Sequence, residues 1–296
     1  MPEPLIDRLF IGAGAMKAGT TWLYSVLDSH PEIYFTFEKE IHYFYAVHVR
    51  PDVLSDAKRL ENVRRRHLGI DPERNRAAAV RNRLRWAANY LDGPVDDHWY
   101  RGLFALRNGQ RWAADFSNLY ALLPPDAWAR VAGRVGDLRV LYTMREPVAR
   151  LWSHLKFHLK VAGETEALAT WSPDRLERYV RQDFIWDNTE YGAAIRRMRE
   201  GLGERSLHVE FHEAVHANPR AALAGIERFL GIPPHAYPDG LLARRINATD
   251  PSPVPAWFCD RFAEDAARIA EDVRAEGFAP PVTWPLAATR RLPEAS

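Results

Sequence analysis

Eight residues near the N-terminus, Gly14-Ala15-Met16-Lys17-Ala18-Gly19-Thr20-Thr21, set one lysine between glycines and follow it with two hydroxyls. They lie between a short apolar run, Leu9 to Ile11, and Thr20 to Leu27, where apolar residues recur at helical spacing before His30-Pro31 ends the pattern. This predicts strand, loop and helix, a context in which successive backbone N–H groups and a helix N-terminus cradle an anion. The glycine spacing is that of a nucleotide-binding G-x-x-x-x-G loop, yet Thr20 stands where that loop carries its lysine, and Lys17 lies inside instead. The dinucleotide pattern G-x-G-x-x-G fares worse, because after Gly12 and Gly14 it meets Lys17 at its third glycine.

A second anion site is written further on. Leu138 to Met144 (LRVLYTM) reads as a buried parallel strand and ends in Arg145-Glu146-Pro147. A kinase or NTPase would end this strand in an aspartate that holds Mg²⁺, whereas an arginine there faces the ligand crevice as a two-pronged donor. Ser153 follows two helical turns along, on a helix that Pro147 is well suited to begin. Arg150 shares that helix, and a surface salt bridge would explain it equally well. Two such sites suit a nucleotide with phosphates at both ends.

The elements that must position these residues follow from periodicity. Ser206 to Phe211 reads as another strand, Pro219 to Leu230 as a helix, Ala256 to Ala275 as an amphipathic helix, and the Trp284-Pro285 loop as a return to the core. Val53 to Ala88 is rich in arginine (64, 65, 66, 74, 76, 81, 83 and 85), is broken at Asp71-Pro72, and reads as two exposed helices. Strands alternating with helices predict an α/β fold: three layers, α/β/α, around a central, mostly parallel sheet. We expect one domain over residues 1–296 with a helical, arginine-rich insertion at about 50–98.

Composition narrows the classes. The 296 residues are 47% hydrophobic and carry a formal charge of +1, so an anion site must be local and no whole-molecule field favours nucleic acid. The apolar run from Leu9 to Ala15 is too short to span a bilayer, so a cytoplasmic protein is expected. The single cysteine, Cys259, allows no internal disulfide and no structural zinc site, and reads as a small packed filler on a helix.

The segments MKAGTTWL (residues 16–23) and REPVARLWS (145–153) resemble the two motifs with which sulfotransferases bind 3′-phosphoadenosine 5′-phosphosulfate, PAPS. KEIHYF (39–44) is similar to the K-E-x-H-F-F segment of the heparan-sulfate-type branch, and WYRGLF (99–104) and DFSNLY (115–120) are similar to its acceptor-side segments. The agreement runs to FLGI at 229–232. The resemblance implies a P-loop-like fold whose loop binds the 5′-phosphosulfate, with Lys17 touching it and Ala18, Gly19, Thr20, Thr21 and Trp22 lining it. Arg145 and Ser153 would bind the 3′-phosphate. It also implies Glu40 as the general base and His42 in the acceptor cleft, with no metal required. The acceptor would be a hydroxyl, less readily an amine, of a saccharide or small molecule.

Read by themselves, Glu40 beside Lys39 is also an exposed charge pair, His42 in its aromatic run is also a packed histidine, and Trp99, Tyr100 and Tyr120 are also core. Two departures from the branch stand out: residues 247–256 lack its basic C-terminal loop, and Phe116 stands where some members have a lysine. The rival expectations are a P-loop kinase or NTPase and a nucleic-acid-binding module using the arginines of residues 58–85.

Overall fold

The computed structural model describes residues 3–71, 73–244 and 253–284; Pro72, residues 247–252 of the Pro-rich stretch and Pro285 lie outside them. The chain opens with β1 (Ile6–Gly14), α1 (Thr20–Leu27) and β2 (Ile33–Phe35). Four helices follow, α2 (Tyr43–His48), α3 (Asp56–Arg66), α4 (Ala77–Leu91) and α5 (Asp97–Gly102), and then β3 (Trp112–Phe116). Next come α6 (Pro125–Ala132), β4 (Val135–Met144) and α7 (Pro147–Val161). The short α8 (Ala167–Thr170), α9 (Pro173–Val180) and α10 (Asp183–Trp186) lead to α11 (Tyr191–Leu202) and β5 (Leu207–Phe211). The last helices are α12 (His212–Ala217), α13 (Pro219–Leu230), α14 (Asp239–Leu242) and α15 (Ala256–Ala275).

The strands form one sheet in the order β2-β3-β1-β4-β5, and every pairing is parallel. Alternation along the strands splits the core into two layers. Leu9, Ile11, Ala113, Val140 and Tyr142 face one side, packed with residues of α5, α6, α11 and α15. Phe10, Ala114, Phe116 and Leu141 face the other, against Trp22, Leu23 and Val26 of α1 and Leu223, Ile226 and Leu230 of α13. This is the three-layer α/β/α architecture expected. No helix among the described residues is long and apolar enough to cross a membrane.

Three expectations need correction. The arginine-rich helices α3 and α4 form as expected but are not simply exposed, because Arg59, Val63, Trp86, Ala87 and Tyr90 turn inward. Cys259 is exposed on α15 rather than packed; Phe258 and Phe262 fill the buried face. Arg150 carries no surface salt bridge: it is wholly buried and donates to Ile185 O (2.9 Å), Thr189 Oγ1 and His154 Nδ1 (3.0 Å). The indole of Trp284 does return to the core, donating to Glu213 Oε2 at 3.2 Å.

Candidate active site

After β1 the chain turns toward β2 and β3; after β4 it turns toward β5. The crevice of an open parallel sheet lies at such a reversal, outside the C-terminal ends of the two strands. Both anion loops predicted from sequence open onto it. The first is pinned to the second strand, because Ala15 N–H donates to Thr143 O at 2.7 Å. Gly14 (φ 122°) and Gly19 (φ 88°) hold backbone conformations that suit glycine, and Gly19 heads α1 without a side-chain cap, leaving the first N–H groups of Thr20 and Thr21 toward the crevice.

Lys17 stands in this loop with its ammonium 4.8 Å from the centre of the Phe157 ring. Burial, then the nearby charges of Arg145, Lys39 and Lys156, lower its pKa to about 8. Cations gathered so closely destabilise one another unless an anion joins them. Arg145 directly follows β4, and its guanidinium donates to Lys17 O at 3.4 Å while its own carbonyl accepts from Tyr191 OH at 2.8 Å. Glu146 caps α7 through the N–H groups of Val148 (3.0 Å) and Ala149 (2.6 Å), so the helix that begins at Pro147 starts immediately beside Arg145. Ser153 lies on the buried side of that helix. Ala18 has no exposed surface, and Trp22 is buried with its indole N–H on Leu242 O at 3.3 Å.

Glu40 and His42 come from the turn after β2. Lys39 donates to Glu40 Oε1, Asn118 N–H donates to Oε2 at 2.7 Å, and His42 Nε2 stands 3.7 Å from Oε2. Burial pushes the carboxyl up, but Lys39, His42 and the two hydrogen bonds outweigh it and hold it below the ordinary value. Held low in this way, the carboxyl is ionised, and its side chain keeps 22% of its surface exposed. His42 is pushed down by burial, with Glu40 opposing and Lys39 assisting, and is neutral. Glu40 does pair with Lys39, but the pair is partly buried rather than exposed.

Among the described residues, three that are not glycine have positive φ: Lys17 (71°), Glu40 (70°) and His42 (61°). Left-handed backbone costs free energy at such residues and persists where the surroundings impose it, typically at functional sites. These are the three side chains that sequence reasoning nominated as catalytic.

Other parts of the site were not anticipated. His212, immediately after β5, packs its ring against Gly19 and lies beside Arg145 and His216; burial and those neighbours lower its pKa to about 3. The signal available was its place at the end of a predicted parallel strand. Phe116 turns away from the crevice into a cluster with Phe10 (5.3 Å between ring centres) and Phe35 (5.1 Å), so it occupies no part of the site. Trp99, Tyr100 and Tyr120 are buried, as the core reading held.

Residues 9–237 match the family model described as the sulfotransferase family. Among solved structures, the chain is similar to a sulfotransferase from Alicyclobacillus acidocaldarius at 20% identity and a TM-score of 0.61, over 93% of this chain and 97% of that one. It is also similar to a sulfotransferase domain from the curacin biosynthetic pathway (13% identity, TM-score 0.50, 95% of this chain and 99% of that one). A sulfotransferase from Mycobacterium avium is similar at 14% identity and a TM-score of 0.50, over 93% of this chain and 77% of that one. At these identities the likeness is one of fold. No curated protein matches the sequence.

Proposed function

The chain belongs to the sulfotransferase family, and from that premise we propose that it transfers the sulfuryl group of PAPS to a hydroxyl of a small-molecule or saccharide acceptor. The observation that carries this reading is the left-handed backbone shared by Lys17, Glu40 and His42, a cation, a carboxylate and a neutral imidazole beside one crevice.

The residues present suit the donor. A ligand with anionic groups at both ends matches a loop that ends at the N-terminus of α1 and a crevice that gathers Lys17 and Arg145. The N–H groups at the start of α1 and Lys17 would hold the 5′-phosphosulfate, and Arg145 with Ser153 the 3′-phosphate. PAPS, when bound, supplies an electrophilic sulfur whose leaving group is a nucleotide phosphate. Glu40 then takes the proton from the acceptor hydroxyl as the new O–S bond forms and the S–O bond to phosphate breaks. Lys17, protonated once anions surround it, balances the charge that grows on the departing phosphate oxygen. Lys39 and Asn118 fix the direction of the Glu40 carboxylate. His42 lines the acceptor side.

The test is calorimetric titration of the full chain with adenosine 3′,5′-bisphosphate and, in parallel, with ATP and Mg²⁺, using wild type, Lys17→Ala and Arg145→Ala. Binding of the bisphosphate that both substitutions abolish and ATP does not match supports the reading. Preference for Mg-ATP would replace it with a P-loop kinase or NTPase.

A further inference from the structure

Beneath the turn that carries Glu40 and His42 lies a carboxylate that the mechanism above does not use. Asp115, on β3, is 1% exposed and accepts three hydroxyl hydrogen bonds: from Ser117 Oγ at 2.6 Å on Oδ1, and from Tyr120 OH at 2.6 Å and Tyr100 OH at 3.0 Å on Oδ2. Three donors on one buried carboxylate make a closed network, in which each hydroxyl must give its only proton to Asp115 and is left as an acceptor. Those acceptor lone pairs face the functional turn. Ser117 Oγ accepts His42 N–H at 2.9 Å, and Tyr120 OH accepts Phe44 N–H at 3.4 Å. The Tyr43 ring stacks on Tyr100 at 4.4 Å, so residues 42, 43 and 44 are each tied to a partner of the same carboxylate or to its ring.

The end of β3 holds the other side of the turn. Glu40 N–H donates to Phe116 O at 2.9 Å, and Asn118 N–H reaches Glu40 Oε2. Left-handed φ at Glu40 and His42 is unfavourable alone, so something must impose it, and these bonds are the constraints present. Burial raises the pKa of Asp115 to about 6, the three hydroxyls oppose that, and Glu40 adds to it. At 1% exposure it is out of reach of any acceptor.

Building on the sulfotransferase reading, we propose that Asp115 is a positioning residue: through Ser117 and Tyr120 it orients two hydroxyls as acceptors, and these hold the backbone that aims Glu40 and His42. An amide cannot do the same, since Asn presents N–H groups to hydroxyls already committed as donors. Ser117→Ala is the gentler probe, because it cuts the link to His42 while leaving Asp115 both tyrosine donors.

The experiment compares wild type, Asp115→Asn and Ser117→Ala by release of adenosine 3′,5′-bisphosphate from PAPS with water as acceptor, by bisphosphate affinity, and by amide hydrogen exchange. Both variants should lose on the order of tenfold or more in kcat while KM for PAPS and bisphosphate affinity stay within about twofold. Exchange should quicken at Glu40 and His42 and stay unchanged over residues 14–21. Unchanged kcat in folded variants overturns the proposal, as does a rise in KM and loss of affinity in step with kcat, which is the mark of general loosening. A wild type that neither binds bisphosphate nor releases it from PAPS sinks the sulfotransferase reading itself, and this role with it.

Discussion

The imidazole of His212 fills the space that a side chain on Gly19 would need: a Cβ built on Gly19 would stand 2.6 Å from His212 Nδ1. The φ of 88° at Gly19 is a second obstacle to any larger residue. We expect Gly19→Ala to lower the stability of the fold by at least about 1–2 kcal/mol, the cost of left-handed alanine, which the protein bears with or without ligand. Adding His212→Ala should relieve the clash but not the backbone strain, and so recover only part of the loss. Urea unfolding midpoints of the single and double variants measure both quantities.

Lys17 gives the site a pH dependence of definite sign. Its pKa is lowered to about 8, so the empty site loses this charge as pH rises through that value. The ligand needs the charged form. Its phosphates, with second pKa values of about 6, are already fully ionised there. Bisphosphate affinity should therefore be flat between about pH 7 and 8 and fall by up to about tenfold per pH unit above it. Lys17→Arg, which keeps its charge, should abolish that fall even if it binds more weakly.

Glu40→Gln preserves shape and removes the base. We expect PAPS turnover to drop by about 10²–10⁴-fold, the span typical of a lost general base, with bisphosphate affinity retained. Because its partners hold the Glu40 carboxyl below the ordinary value, wild-type turnover should persist on the acid side until below the usual carboxylate range. Initial rates against pH decide it.

Glu38, next to Lys39, is buried and joins the end of α3 to the turn that carries Glu40: Arg66 donates to Oε1, and His67 Nε2 lies 2.9 Å from Oε2. Burial, then Arg66 and Arg83, lower the pKa of His67 to about 4, so this ring is neutral and donates its Nε2–H. Glu38→Ala should cost about 2–3 kcal/mol, toward the low end for a broken buried pair because Arg66 can turn to water. A fall in the urea midpoint with unchanged slope would report it.

The central frame was legible because its pieces are long or sharply punctuated. TTWLYSVL, PRAALAGIERFL and the helix from Ala256 to Ala275 form over the ranges their periodicity marked, and LRVLYTM lies within β4. β2 has three residues and β3 has five, two of them alanine and one aspartate, too little for alternation or β-branched bias to register. Lys17 and Arg145 were readable because each belongs to a spaced motif beside a strand. His212 and Asp115 were not, since what they do depends on neighbours supplied by packing: Gly19 lies 193 positions before His212, and Tyr100 and Tyr120 flank Asp115 from separate elements. The same holds for Cys259 and Arg150, whose surroundings only the folded helices define.

The strand order divides the crevice by ancestry in the chain. The loop bearing Lys17 is braced by Thr143 and Arg145 at the end of β4, by Phe157 on α7 and by His212 after β5. The turn bearing Glu40 is braced by β3 and, through Arg66, by α3. The two halves meet at the pairing of β3 with β1, where Ile11 pairs with Asp115, and beside it, where Arg101 Nε donates to Leu5 O at 3.2 Å and Trp112 Nε1 to Leu230 O at 3.0 Å. A contiguous block running from the end of β2 through Tyr120 can thus be treated as a cassette: a chimaera that exchanges it for the equivalent block of a relative should inherit the relative's acceptor preference while keeping its own nucleotide grip, provided the pairing at Ile11 and the bond from His42 to Ser117 are kept.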